Sequence, residues 1–415
     1  MVIDAPYSQL AQKLAQSQGE PDWMIHQRQQ ALLAIETTDQ QKLTLQPNNI
    51  KPLVPAVSDA GALPLGDASS VIACVNGQVV AHRLCQEAKE RVVFAPLAMA
   101  INQAPNLVKA YSGYVLNPNE NRLAALAYAF SNNSIFIHVP ANLELEIPLH
   151  IFNRYTPGEH SAVIHTTLVV EANAAVRILE TVESTDTVPR THLHVVEVIA
   201  GEGAQVQYGS VQNWGDKSTC YTIRKAIAQR NAQVEWVCGN IGGNFNHQHN
   251  QTMLVGEGSQ SNMLELFYQH NRQRMEIETT IMHQAPHTNS DILLRGVAAG
   301  HAHITHTART NIDPNSPAAN AYQRSQTLML SKNARVNTIP ALEIRQNEVQ
   351  AGHAVTTGQL DENHVFYLMT RGLTRQDATR IMVEGFLTPI LLRMPLEEGR
   401  KQLQTLIDRK LSEWI

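Results

Sequence analysis

Residues 173–182 read NAAVRILETV, residues 203–212 read GAQVQYGSVQ and residues 231–240 read NAQVEWVCGN. Each opens on Asn or Gly, then Ala, any residue and Val, and the openings lie 30 and 28 residues apart. Asn and Gly tolerate the left-handed backbone of a tight turn; Ala fits a crowded corner, and the apolar residue after it points inward. Gly258-Ser259 is a degenerate copy 27 residues further on, His301-Ala302-His303-Ile304 a looser one, and Asn333-Ala334-Arg335-Val336 the last. A turn recurring at a nearly fixed period ahead of a strand is what a stacked solenoid requires. The intervening segments agree. IFIHVP (135–140), LELEIPLHIF (143–152), VIHTTLVVE (163–171), VRILETVE (176–183), LHVVEVI (193–199) and AQVQYGSVQNW (204–214) alternate or run β-branched between turn residues. The fold class is therefore mainly β, a β-helix of stacked coils spanning 134–358. A large β-sandwich is the alternative, although its turns recur about every 8–12 residues.

Outward from this core the period becomes helical. An N-terminal helical region is expected over 1–45, with residues 7–38 helical apart from a break at Gly19-Glu20-Pro21. A linker and mixed lead-in follows over 46–133. Pro47, Pro52, Pro55, Pro64, Gly61 and Gly66 mark its extended part, and two short helices are expected within 96–130. A C-terminal helical domain is expected over 359–415. Asp361 caps a first helix that ends at Arg371-Gly372, where Gly suits the position past the end. Thr374 with Asp377 forms an Asp version of the capping box for a second, with Ala378, Ile381, Met382 and Phe386 at helical spacing. Pro389 and Pro395 interrupt, and Leu403, Leu406, Ile407, Leu411 and Trp414 draw a third stripe.

The chain has 415 residues, of which 43% are hydrophobic, 17% charged and 5% aromatic, with 18 His and a net charge of −5. No global basic field exists to hold a phosphate backbone, so a nucleic-acid partner is not expected. No apolar run reaches 18 residues, so no membrane helix is expected, and the opening residues carry no secretory pattern. Four cysteines without a CxxC spacing argue against a disulfide framework or a closed zinc site. Together these predict a soluble protein of a reducing compartment.

The sites of chemistry are sparse. On a strand His301 and His303 share a face and His306 takes the other, while His192 with His194 and His247 with His249 are same-face pairs lacking a third ligand. The plainer reading is that they are solvent-facing doublets. Glu197 points away from the first pair. No GxSxG elbow and no phosphate loop are present; Gly215-Asp216-Lys217-Ser218 lacks the GxxxxGK[ST] frame. Carboxylate pairs such as Glu144 and Glu146 read as strand surface.

The last hundred residues narrow this. Ala321-Tyr322-Gln323, SQTLMLSKNARVNTIPALEI (325–344) and GHAVTTGQLDENHVFYLMTRGLTRQDATRIMVEGF (352–386) resemble the SufB/SufD family of iron–sulfur cluster assembly scaffolds. Overall length and Glu20-Pro21-x-Trp23 favour its SufD branch. The resemblance implies a β-helix between two helical regions, and a non-enzymatic, cytoplasmic complex with SufB and the ATPase SufC. It implies that the β-helix end near 335–357 pairs with SufB. The C-terminal helices would dock SufC, with Phe366, Tyr367, Arg371, Gly372 and Phe386 in the docking region; for Phe366 and Phe386 packing within the helical domain is the plainer role. A transient iron–sulfur cluster or iron is expected at the SufB interface, and reduced flavin in the complex at a site no residue here places. Where the family's SufD motif has cysteine, one residue and histidine, this chain has Ala351-Gly352-His353. His353 stays a candidate metal or cluster ligand; Ala351 can ligate nothing, so the thiolates would come from SufB. An exposed β-helix edge also allows a homodimer in isolation. The contrasting class is a β-helix polysaccharide lyase or hydrolase, which the missing secretion pattern and few aromatics disfavour.

Overall fold

The computed structural model describes residues 5–37, 70–86, 88–89, 91–156, 161–185 and 188–414; the Pro- and Gly-rich stretch over 45–67 lies outside them. Its centre is a β-solenoid with two sheets, mostly parallel. Sheet A holds β1 (Val71–Val75), β2 (Gln78–Arg83), β5 (Leu149–Tyr155), β7 (Ala175–Ser184), β9 (Gln205–Trp214), β11 (Gln233–Gly242), β13 (Gln260–Gln269), β15 (Asn289–Ala298), β17 (Ala319–Met329) and β19 (Val349–Gln359). Sheet B holds β3 (Val93–Pro96), β4 (Asn133–Val139), β6 (Val163–Val170), β8 (Arg190–Ala200), β10 (Ser218–Ala228), β12 (Phe245–Leu254), β14 (Arg274–His283), β16 (His303–Ile312) and β18 (Arg335–Ile344). From β4 onward the chain alternates between the sheets, and from β6 onward each strand pairs in parallel with the strand two places earlier.

The corner from sheet B to sheet A explains the repeat. Asn142, Asn173, Gly203, Asn231, Gly258, His287 and Ala318 all have positive φ, between 55° and 71°. Their N–H groups bond from rung to rung: Asn173 donates to Glu202 O, Gly203 to Arg230 O and Asn231 to Glu257 O, at 2.7–2.9 Å. Ala174, Ala204 and Ala232, next in line, are fully buried. Two of the expected copies belong elsewhere. His301 and Asn333 lie at the opposite corner, between sheet A and sheet B, and the true continuations are His287 and Ala318. Neither is Asn or Gly, so composition hid them.

Side chains on even-numbered positions of β7 to β11 face the interior, where Val176, Ile178, Val206 and Val234 form apolar layers. A polar layer runs among them. Glu180 accepts from Tyr208 Oη at 2.6 Å and pairs with His194 Nε2 at 2.9 Å. Arg224 donates to Gln248, Asn250 and Ser210, and Asn250 donates to Glu265. Burial pushes Glu180 up, but His194, Tyr208 and Arg224 outweigh it and hold the carboxyl below its ordinary value. For Glu265 burial prevails over Arg224, Thr279 and Asn250, and its pKa is raised. His192 and His194 are fully buried here, which corrects their reading as solvent-facing. His192 accepts from Ala162 N and stacks on Trp214.

Helices cover both flanks. α1 (Ala5–Ser17) and α2 (Asp22–Thr37) sit beside α5 (Arg122–Phe130), and a buried Arg28–Glu20 pair tethers them as Arg28 also donates to Ala129 O and Ser131 O. The lead-in carries three helices, not two: α3 (Leu97–Gln103), α4 (Pro105–Tyr111) and α5. At the C-terminus come α6 (Glu362–Thr370), α7 (Arg375–Leu391) and α8 (Glu397–Trp414). Asp361 and Thr374 cap α6 and α7 as expected, accepting from Asn363 N and Asp377 N. Pro389 does not interrupt α7. It removes one donor near the helix end, where Leu387, Ile390 and Leu391 are buried against sheet A and hold the turn. α8 seats Leu403 on Gly239, where an added Cβ would stand 2.3 Å from Leu403 Cδ2. Among the described residues no helix is long and apolar enough to cross a membrane.

Two measurements check this account. Gly203→Ala should destabilise by about 1–2 kcal/mol, because φ is +66° and the new Cβ would meet Asn173 Oδ1 at 2.5 Å. Ala318→Gly should stabilise by up to about 1 kcal/mol; equal denaturation midpoints for both would contradict the turn's role. Separately, burial lowers His150, His283 and His306 to about 4. Between pH 6.5 and 4 the unfolded chain binds protons that these folded rings refuse, so stability falls with pH across that window. The slope expected is up to about 1.4 kcal/mol per pH unit for each ring; a flat denaturation profile from pH 6.5 to 5 would contradict it.

Candidate functional site

The solenoid ends on β18 and β19. Each is the last strand of its sheet, so one edge of each has no strand partner among the described residues. Register carries the interior phase onto this last rung. Ile304, His306, Ala308 and Thr310 pair with Val336, Thr338, Pro340 and Leu342; Ala321, Gln323 and Ser325 pair with Ala351, His353 and Val355. Positions that are buried in every inner rung are therefore open here: Ile344 is 41% exposed and Val355 42%. Pro340 in β18 suits an edge strand, since Pro cannot donate to a ladder on both sides.

His353 is exposed at this open end, in register with Gln323. It lines a small pocket with His306, Gln323, Ser325, Thr338 and Pro340. His306 shares a hydrogen bond of 2.8 Å with Ser325 Oγ, and Gln323 Nε2 donates to Thr310 Oγ1 at 2.7 Å. His306 Nε2 and Gln323 Oε1 are buried without a partner. A polar layer thus lies directly beneath the exposed imidazole. Ala351 instead packs with Ile312, Ala319, Ala321 and Val349. All four cysteines are free and buried, and burial raises Cys74 and Cys238 to about 12. Cys220 on β10 and Cys238 on β11 lie four strands inward from β18 and β19, about 19 Å at roughly 4.8 Å per strand. Neither reaches the open end in place of a thiolate at 351. Among the described residues no group of three or more His, Cys, Asp or Glu side chains is placed to hold a metal ion.

The second surface is α6. Only Val365 of this helix is buried, while Phe366 is 67% exposed, Tyr367 56% and Met369 40%. Arg371 lies over the Tyr367 ring at 5.3 Å and donates to its hydroxyl at 3.1 Å, and Gly372 ends the helix with φ +94°. Phe366, Tyr367, Arg371 and Gly372 therefore form one patch, and for Phe366 the packing role does not hold. Phe386 stands apart. It is half-buried in α7 against the sheet A cluster, with Arg295 over its ring at 5.3 Å and donating to its carbonyl. Ile381, one of the α7 residues at helical spacing, is 42% exposed, and Leu392 at the end of α7 is 62% exposed. The stripe actually buried in α7 is Ala378, Val383, Leu387 and Ile390. Helical period shows that two faces differ, not which face a neighbour covers.

Residues 153–386 match a family model described as the SUF system FeS cluster assembly SufBD core domain, and residues 67–151 match one described as the SufBD protein N-terminal region. Over 341 residues the chain is 31% identical to the iron–sulfur cluster assembly protein SufD of Bacillus subtilis, covering 80% of this chain and 78% of that one. It is 26% identical over 331 residues to an iron–sulfur cluster assembly SufBD family protein of Staphylococcus aureus, covering 79% and 71%.

Proposed function

The chain belongs to the SufBD family of iron–sulfur cluster assembly proteins, and on that premise we propose that it is a non-catalytic scaffold subunit. It pairs through β18 and β19 with a SufB subunit and docks the SufC ATPase through α6 and the start of α7. The observation that carries this reading is the open last rung. Unpaired strand edges and inward-phase side chains exposed to water are a template for another strand pair. A SufB solenoid end of the same construction would extend both sheets and bury Ile344 and Val355. With SufB absent, a second copy of this chain can use the same edge.

Docking rests on α6, whose aromatic face and adjoining Arg371 are unpartnered by the rest of the fold; aromatic and Arg side chains are typical anchors of protein interfaces. From there force has a rigid path. α7 and α8 are bound to sheet A through Leu387, Ile390 and Leu403, and sheet A runs without interruption to β19. Closure of docked ATPase subunits on ATP would move the helices and, through the sheet, the rung that carries His353. At the interface the nascent cluster or its iron is cargo. His353 offers an imidazole to it, the SufB subunit supplies the thiolates, and reduced flavin belongs to the assembled complex.

Co-expression with SufB and SufC tests both surfaces. Phe366→Ala with Tyr367→Ala should leave the SufB pair intact and reduce SufC recovery by at least about tenfold. His353→Ala should leave all three subunits together and lower the cluster yield on anaerobic reconstitution. Full SufC recovery with the double variant would remove α6 from the docking surface, and an unchanged cluster yield would reduce His353 to a surface residue.

A further inference from the structure

Where the last turn of α8 meets the solenoid, four ionisable side chains from three parts of the chain come together. His270, just past β13, and Lys410 of α8 are buried, while Glu413 of α8 and Asp216, in the turn between β9 and β10, reach water. His270 Nε2 lies 3.4 Å from Glu413 Oε2. Lys410 Nζ lies 3.3 Å from the same oxygen and 3.5 Å from Asp216 Oδ1. Tyr268 of β13 packs its ring 6.1 Å from the imidazole and donates its hydroxyl to Lys410 O at 3.4 Å. Lys217, Arg272 and Arg409, neighbours of these groups in sequence, are exposed. The tautomer of the ring follows from its surroundings. Gln273 Oε1 accepts from the His270 backbone N–H at 3.0 Å, and Gln273 Nε2 donates to Asp216 Oδ1 at 3.2 Å. A backbone N–H only donates and a carboxylate only accepts, so the amide has one orientation. His270 Nδ1, 2.9 Å from that same Oε1, therefore carries a proton. In the neutral ring Nε2 turns its lone pair toward the Glu413 carboxylate, and a second proton there replaces repulsion by an ion pair.

We propose that His270 is a proton-operated latch that fastens the end of α8 to the solenoid. With the ring neutral, Lys410 faces the two carboxylates of Asp216 and Glu413, and one negative charge is left over. With the ring protonated, two cations face two anions. The added charge also lies at the C-terminal end of α8, where the helix macrodipole favours a cation. Withdrawing a charged ring from water costs free energy, which the carboxylates and the helix end offset. Histidine changes charge between about pH 5 and 8, so the latch operates in the physiological range. The docked helix end binds one proton more than the released one, and docking therefore strengthens as pH falls from 8 to 6. That sign is opposite to the one expected of His150, His283 and His306, whose buried rings refuse protons. Leu403, Leu406 and Ile407 keep the body of α8 packed in either state, so the latch acts on the last turn, from Lys410 to Trp414. On the scaffold reading, on which this last step alone rests, the proton sets how firmly α8 grips sheet A.

Hydrogen exchange of the whole chain, read by mass spectrometry between pH 6 and 8 and corrected for the intrinsic exchange rate, tests the latch. Amides in the last turn of α8 should be about fivefold better protected at pH 6 than at pH 8, while those in the first turns of α8 change little. Glu413→Gln removes one charge from a side chain that reaches water and should abolish this pH dependence. His270→Gln holds the site uncharged, and its protection at pH 6 should fall to the wild-type value at pH 8. A contact that is merely structural would not produce such a profile. His270 is buried, so the decision rests on Glu413→Gln, whose melting midpoint at pH 8 should equal that of the wild type. Equal wild-type protection at pH 6 and pH 8, or a pH dependence that survives Glu413→Gln, overturns the latch. The readout needs neither SufB nor SufC, so it succeeds or fails independently of the scaffold role.

Discussion

The rest of the structure depends on one left-handed turn repeated up the corner between the two sheets. At Asn173, Gly203 and Asn231 its N–H bonds to the turn of the following rung, which keeps the rungs stacked and the strand parity constant. Constant parity is what allows Glu180, His194, Arg224 and Glu265 to meet inside, because a slip of one residue would turn each of them outward. The same parity lays His247, His249 and Glu278 together on the outside. It also determines how the molecule ends. Ala318 bonds to Glu348 O, but among the described residues no further rung follows β19, and an interior row becomes a surface.

Much of this was legible in the residues. Asn-Ala-x-Val and its copies exposed the period, and Asp361 and Thr374 marked helix starts that the structure keeps. What stayed hidden has physical causes. His287 and Ala318 adopt the left-handed turn without being the residues that favour it, held there by the rungs on either side. Glu180 sits in the inward phase of VRILETVE, two positions after Ile178, so its burial was readable; what could not be read was the His194 and Tyr208 that make burial tolerable, since they come from two other strands, β8 and β9, whose register on β7 the sequence does not state. His192 and His194 were misplaced for the same reason.

At the open end the balance differs. Resemblance singled out His353 and α6, and physical reading of the residues alone would have found neither. The structure adds what surrounds them: an imidazole above a buried polar layer of His306 and Gln323, and an aromatic helix face left largely exposed. It also separates Phe386 from that face. The solenoid between is a continuous hydrogen-bonded sheet, suited to transmit displacement from helices to edge without bending locally. The scaffold action proposed above calls for that stiffness more than for a catalytic group.

Hydrogen exchange along β18 and β19, with and without SufB, tests the central claim most directly. In the free chain the unpaired edge amides should exchange quickly, and in the complex the segments 335–344 and 349–359 should become strongly protected while the inner rungs change little. Protection that appears elsewhere, with β18 and β19 exchanging as before, would contradict pairing through the open end.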